Sequence, residues 1–186
     1  FAAYKDSLFV SDNIGFVYKL DIRDGKIIWI KNHGIPIKSD IKLFEEKIYL
    51  INQDNRLLCL NANDGSLVWN SRSIKSFIKS QHMLSLAISE KKDLVILNSS
   101  GDSIKSKSNT GQIYWTLSTL GSLYAHDTDF FRSSKIVLID NEIVFSTSIS
   151  TFSFNLDNGQ LNWEIDVGST NTPIIDRNNI FVVTNN

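Results

Sequence analysis

The chain has a single cysteine, Cys59, among 186 residues, so no disulfide can form within it. That excludes a disulfide-stapled scaffold and leaves the redox compartment open. Cys59 sits in the apolar run "LLCL" and reads as a small buried hydrophobe. No run of about 18 apolar residues occurs, so no segment reads as a membrane-spanning helix. The net charge is −1 and no basic stripe is present. Charge therefore gives no case for a nucleic-acid partner. No stretch keeps a long helical period, and no tract is of low complexity. The three histidines, His33, His82 and His126, show no Ser/His/Asp or His-x-x-x-His spacing and read as loop or rim residues. No catalytic, cofactor-binding or metal-ligating set is expected.

What the sequence has instead is a repeat. Each tryptophan follows a glycine by four residues. "LDIRDGKIIW" carries Gly25 and Trp29, and "LNANDGSLVW" carries Gly65 and Trp69. "SKSNTGQIYW" carries Gly111 and Trp115, and "FNLDNGQLNW" carries Gly159 and Trp163. Successive tryptophans stand 40, 46 and 48 residues apart. Self-similarity at this period points to a propeller or a solenoid.

Each period holds four short runs rich in Val, Ile, Leu, Phe and Tyr, cut by Asp, Asn, Gly and Ser. Four antiparallel strands per period fit a β-propeller blade better than a solenoid coil. The expected fold is all-β, with blades over about residues 1–32, 37–72, 83–118 and 134–167 and the start of a fifth over 172–186. The whole chain then reads as one partial propeller, a segment of a larger ring. It begins with Phe1 and shows no signal peptide.

Asn61, Asn63 and Asp64 before Gly65 resemble a metal loop at first sight. A calcium EF-hand loop needs a glutamate six residues after its glycine, and here that residue is Ser71. The other copies also break the acidic spacing. The reading is a tight turn: glycine accepts positive φ, and Asn or Asp bonds its own backbone. The tryptophan fills the gap between blades, where its N–H can find a backbone carbonyl. A sugar or quinone platform is the alternative, but a ligand site is usually made once and not in every blade.

The repeat Leu-Asp-x-x-Asp/Thr-Gly-x-x-x-Trp resembles the tryptophan-docking repeat of the quinoprotein (PQQ-like) β-propellers over essentially the whole chain. The third copy departs, with Ser106-Lys107 where the first has Leu20-Asp21. An irregular third strand is expected in that blade. The superfamily includes PQQ-dependent alcohol and glucose dehydrogenases, and in the alcohol dehydrogenases a vicinal Cys-Cys disulfide backs the quinone. Cys59 alone cannot supply that pair.

"EKIYLINQDNRLLCLNANDGSLVW" and "EIDVGSTNTPIIDRNNIFVVTNN" are similar to the BamB family of outer-membrane assembly lipoproteins, in their α-proteobacterial form. The resemblance implies a non-catalytic scaffold at the periplasmic face of the outer membrane of a Gram-negative bacterium. It implies docking to the POTRA repeats of the central barrel-assembly subunit, and a lipid anchor on a Cys before Phe1. It also implies no cofactor.

Two long connectors remain. In "TLSTLGSLYAHDTDFFRSSK", residues 116–135, "HDTD" resembles the Asp-x-Asp stretch that the family uses to dock its POTRA partner. Asp127 and Asp129 are carried over as partner contacts on that ground. Tyr124 and Arg132 join them as residue types that make interface hot spots. Phe130 and Phe131 are either hot spots or the loop's own anchor. The family's companion Leu-x-Leu-Arg loop has no clear match. The second connector, "SRSIKSFIKSQHML", residues 71–84, reads as a charged loop edge or a short helix or lid. A fragment of a PQQ-dependent dehydrogenase, or a PQQ-like sensor ectodomain, is the alternative function.

Overall fold

A computed structural model describes residues 1–71, 83–98, 101–118, 133–177 and 179–184. Among these residues the chain is all β, with eighteen strands and no α-helix. The first sheet is β1 (Ala2–Tyr4), β2 (Ser7–Ser11), β3 (Phe16–Asp21) and β4 (Ile27–Asn32). The second is β5 (Lys42–Phe44), β6 (Lys47–Ile51), β7 (Leu57–Asn61) and β8 (Leu67–Asn70). The third is β9 (Ser85–Ile88), β10 (Asp93–Leu97), β11 (Asp102–Lys107) and β12 (Ile113–Ser118). The fourth is β13 (Val137–Ile139), β14 (Glu142–Ser146), β15 (Thr151–Asn155) and β16 (Leu161–Ile165). A hairpin of β17 (Ile174–Asp176) and β18 (Asn179–Phe181) follows. Each sheet is an antiparallel meander in chain order, the form of a propeller blade.

The chain divides into two compact units, Phe1–Met83 and Leu84–Asn186. The first holds the first two sheets. The second holds the other two and the hairpin.

The turns repeat because their acceptors repeat. Between the second and third strands, Asp12 Oδ1 accepts the N–H groups of Ile14 and Phe16 at 3.0 and 2.8 Å. Asn52 Oδ1 accepts those of Asp54 and Arg56, both at 3.0 Å. Asn98 Oδ1 accepts the N–H of Asp102 at 3.0 Å. Thr147 Oγ1 does the same for Ile149 and Ser150 in the fourth sheet. A short polar side chain folds the backbone back on itself here, and so ends one strand and starts the next.

The third and fourth strands of every sheet share a register shift, at Lys19/Leu20, Cys59/Leu60, Lys105/Ser106 and Ser153/Phe154. Such a bulge sharpens the strand's twist and re-aims the following side chains. The expected irregularity of the third copy does not occur. β11 pairs along its length with β10 and with β12, and its bulge falls at the same place as in the other sheets. Ser106 and Lys107 keep the strand because pairing there rests on backbone groups.

Burial falls on the middle strands. β6 from Ile48 to Ile51 and β7 from Leu57 to Leu60 are buried on both faces, and so are Leu94–Leu97 of β10. In the first unit Phe9, Val17, Ile48, Leu50 and Leu60 form one core, with Trp29 against it. In the second, Val95, Ile143, Phe145, Phe152 and Phe154 form another, with Trp115 against it. The three phenylalanines lie 5.5–6.0 Å apart between ring centroids. Each fully buried apolar side chain contributes roughly 1.5–3 kcal/mol.

Candidate interaction surface

Gly25, Gly65, Gly111 and Gly159 close the turn before each fourth strand, with φ of 72°, 72°, 71° and 74°. In each turn the glycine N–H bonds the carbonyl four residues back: Asp21, Asn61, Lys107 and Asn155, at 2.8–2.9 Å. The side-chain oxygens that suggested a metal loop are used inside the turn. Asn61 Oδ1 accepts the N–H of Asn63 at 2.8 Å, and Asp64 Oδ1 accepts the N–H and hydroxyl of Ser66. The Ser66 hydroxyl, with its backbone N–H, holds the Asp64 carboxyl below its ordinary range. Asp21 and Asn155 bond the turn in the same way as Asn61. Asp21 is also gripped by the Arg23 guanidinium, which with the turn N–H lowers its carboxyl to about 2. Among the described residues no group of three His, Cys, Asp or Glu side chains is placed to hold a metal ion.

Trp29 and Trp115 each tie one blade to the next. The Trp29 indole N–H donates to the Ala62 carbonyl at 3.3 Å. The Trp115 indole N–H donates to the Leu156 carbonyl at 3.2 Å. Both carbonyls lie in the glycine turn of the following sheet. A Cβ on Gly65 would meet the Trp29 ring at 2.7 Å, and one on Gly159 would meet the Trp115 ring at 3.1 Å. Glycine is needed there twice over, for its φ and for the approach of the ring. Trp69 lies 6.2 Å from Tyr49 between ring centroids. Trp163 lines a cavity of about 260 Å³ with Asp140, Glu142, Val144 and Arg177.

The fourth strands form the outer edge of each blade, and most of their apolar residues other than the tryptophans are solvent-exposed. Ile27, Ile28 and Ile30 of β4 are among them, with Leu67 and Val68 of β8, Ile113 and Tyr114 of β12, and Leu161 and Ile165 of β16. Only one side of each such strand is paired, so its other backbone groups face outward. Cys59 is fully buried, and burial pushes its thiol up to about 11, so it offers no nucleophile. His33 is half-buried, and its burial, with Lys31 nearby, lowers its pKa. The partner residues expected from the sequence, Asp127, Asp129, Tyr124 and Arg132, lie outside the described residues. So do Phe130, Phe131, His82, His126 and most of the second connector.

Sequence reading missed one charged cluster. Lys105 of β11 is buried, and its Nζ lies 3.2 Å from Asp93 and 3.6 Å from Asp157. Lys91 also holds Asp157, at 3.1 Å. No local pattern marks it, since a lysine stands opposite the tryptophan in the first copy as well.

A model of the outer membrane protein assembly factor BamB matches residues 1–186, the entire chain. The chain belongs to the BamB family of PQQ-like propellers. The structure of BamB from Moraxella catarrhalis superposes with a TM-score of 0.73 at 14% identity, over 97% of this chain and 56% of that one. A quinohemoprotein alcohol dehydrogenase from Pseudomonas putida HK5 gives a TM-score of 0.69 at 14% identity, over 91% of this chain and 34% of that one. A quinoprotein ethanol dehydrogenase of Pseudomonas putida is 28% identical over 74 residues, 35% of this chain and 12% of that protein. The structural likenesses carry the fold. The chain spans about half the length of the BamB structure it matches.

Proposed function

We propose that the chain is the propeller part of a non-catalytic scaffold for outer-membrane protein assembly, working at the periplasmic face of the outer membrane. Its partner would be the POTRA repeats of the central barrel-assembly subunit. The observation that carries this reading is the BamB family match along all 186 residues. The geometry is in keeping with it. Within each unit the blades are tied by a tryptophan joint over buried strands, and they offer edges and loops. In this reading Asp127, Asp129, Tyr124 and Arg132 contact the partner, and a lipid outside the sequence tethers the protein.

A second reading has its own support. A quinoprotein ethanol dehydrogenase shares sequence similarity with a 74-residue stretch of the chain. That reading makes the chain part of a quinone-dependent dehydrogenase. Calorimetric titration with PQQ and calcium separates the two. The scaffold gives no binding heat, and saturable quinone binding would overturn it in favour of the dehydrogenase.

A further inference from the structure

We propose that the two tryptophan joints described above differ in kind: Trp115 sits in a charge-locked joint that opens on acidification, whereas Trp29 sits in one that does not. The joints share their frame. Trp29 pairs across the sheet with Lys19, and Trp115 with Lys105. Each indole donates to a carbonyl in the next glycine turn. The surroundings then diverge. Lys19 reaches over the Phe9 ring, 5.6 Å from its centroid. The residue after the acceptor Ala62 is the neutral Asn63. The charges near this joint, Asp64 with Lys31 and the Lys5–Glu46 pair at 3.4 Å, are all solvent-exposed, and exposed pairs contribute little.

At the second joint the residue after the acceptor Leu156 is Asp157, and the third sheet grips it twice. Lys91, from the turn between β9 and β10, approaches one oxygen at 3.1 Å and the other at 3.4 Å. Lys105, from β11, lies at 3.6 Å. Lys105 also faces Asp93 of β10 at 3.2 Å and the Tyr114 ring of β12 at 5.6 Å. Asn141 of the fourth sheet also bonds the Asp157 carboxyl. The Lys105 side chain is 7% exposed. A buried ammonium needs its countercharges; Asp93 is the nearer one and Asp157, about half exposed, the second, so loss of Asp157 weakens the grip without leaving the ammonium unpaired. The acceptor of the Trp115 hydrogen bond is thus one residue from a carboxylate that two lysines of the tryptophan's own sheet hold in place.

The direction of the pH effect follows. The Lys91 hydrogen bond and the Lys91 and Lys105 charges hold the Asp157 carboxyl below its ordinary range. The grip is complete above the unfolded carboxylate pKa. It is lost as pH falls through the lower folded value.

Indole N–H exchange, followed by NMR on the 15N-tryptophan-labelled chain, reads both joints in one molecule. The ratio of Trp115 to Trp29 exchange cancels the common chemical pH dependence. From about pH 6 to about pH 3 that ratio should rise severalfold in the wild type. In Asp157→Asn it should already be high and should stay flat with pH. In Lys105→Met the rise should shrink or vanish. A ratio that stays constant in the wild type overturns the proposal, and this holds even where a variant does not fold. A rise that persists unchanged in Asp157→Asn overturns it as well.

Discussion

The Trp29 ring lies where a Cβ on Gly65 would be, with Cζ3 at 2.7 Å from that position. The two residues belong to successive blades, and the glycine's missing side chain is what lets the indole reach the Ala62 carbonyl. In both joints, Trp29 with Gly65 and Trp115 with Gly159, the glycine receives the tryptophan of the blade before it.

Gly65→Ala tests that geometry against Gly25→Ala. Both substitutions put a side chain at positive φ, which costs roughly 1–2 kcal/mol. Gly25 has nothing within 4 Å of its would-be Cβ, so the cost ends there. Gly65→Ala must also displace the indole and is expected to lose about 1–3 kcal/mol more. Urea unfolding of the two variants measures the difference. Equal losses would show that the ring is not seated on the glycine.

Trp115→Phe removes the donor and keeps an aromatic ring. The Leu156 carbonyl then loses its partner, at a cost of about 1–3 kcal/mol. Trp115→Ala also opens a cavity beside the core of the second unit and is expected to cost about 3–5 kcal/mol. Denaturation midpoints of the two variants should fall in that order.

How far the sequence could be read follows the same division. The blades were legible because each strand-ending side chain, such as Asp12, Asn52 and Thr147, closes its turn with its own backbone. The Trp slot was legible because it recurs. The soundness of β11 was not, since Ser106-Lys107 breaks the side-chain pattern while leaving the backbone ladder intact. The Lys105, Asp93 and Asp157 cluster was not legible either. It joins residues from two sheets that are far apart in the chain, and no local pattern carries a pairing of that kind. The docking residues Asp127 and Asp129 rest on a resemblance in a connector, where packing imposes no period.

Cys59 should be inert in the folded protein. Burial lifts its thiol to about 11, so little thiolate exists near neutral pH even apart from access. A disulfide reagent such as Ellman's should label it only on unfolding, at the unfolding rate. Rapid labelling of the native chain would contradict the packing of β7.

Asp21 gives a pH-dependent prediction. Its folded carboxyl lies at about 2 against 3.8 without its partners, because Arg23 and the turn N–H favour the charged form. Its contribution is present above the unfolded value and disappears as pH falls toward 2. Asp21→Asn should therefore be less stable than the wild type near neutral pH, and the two should converge in acid. Since the pair is exposed, the neutral-pH difference should be small. A gap that widens on acidification would contradict the assignment.

The most direct test of the scaffold reading is a pull-down of POTRA repeats from the same organism by the full-length protein. Wild type is compared with Asp127→Ala/Asp129→Ala, and circular dichroism checks that both are folded. The account predicts that wild type retains the repeats and that the double variant loses them. Wild type that is folded and captures no POTRA repeat would contradict it.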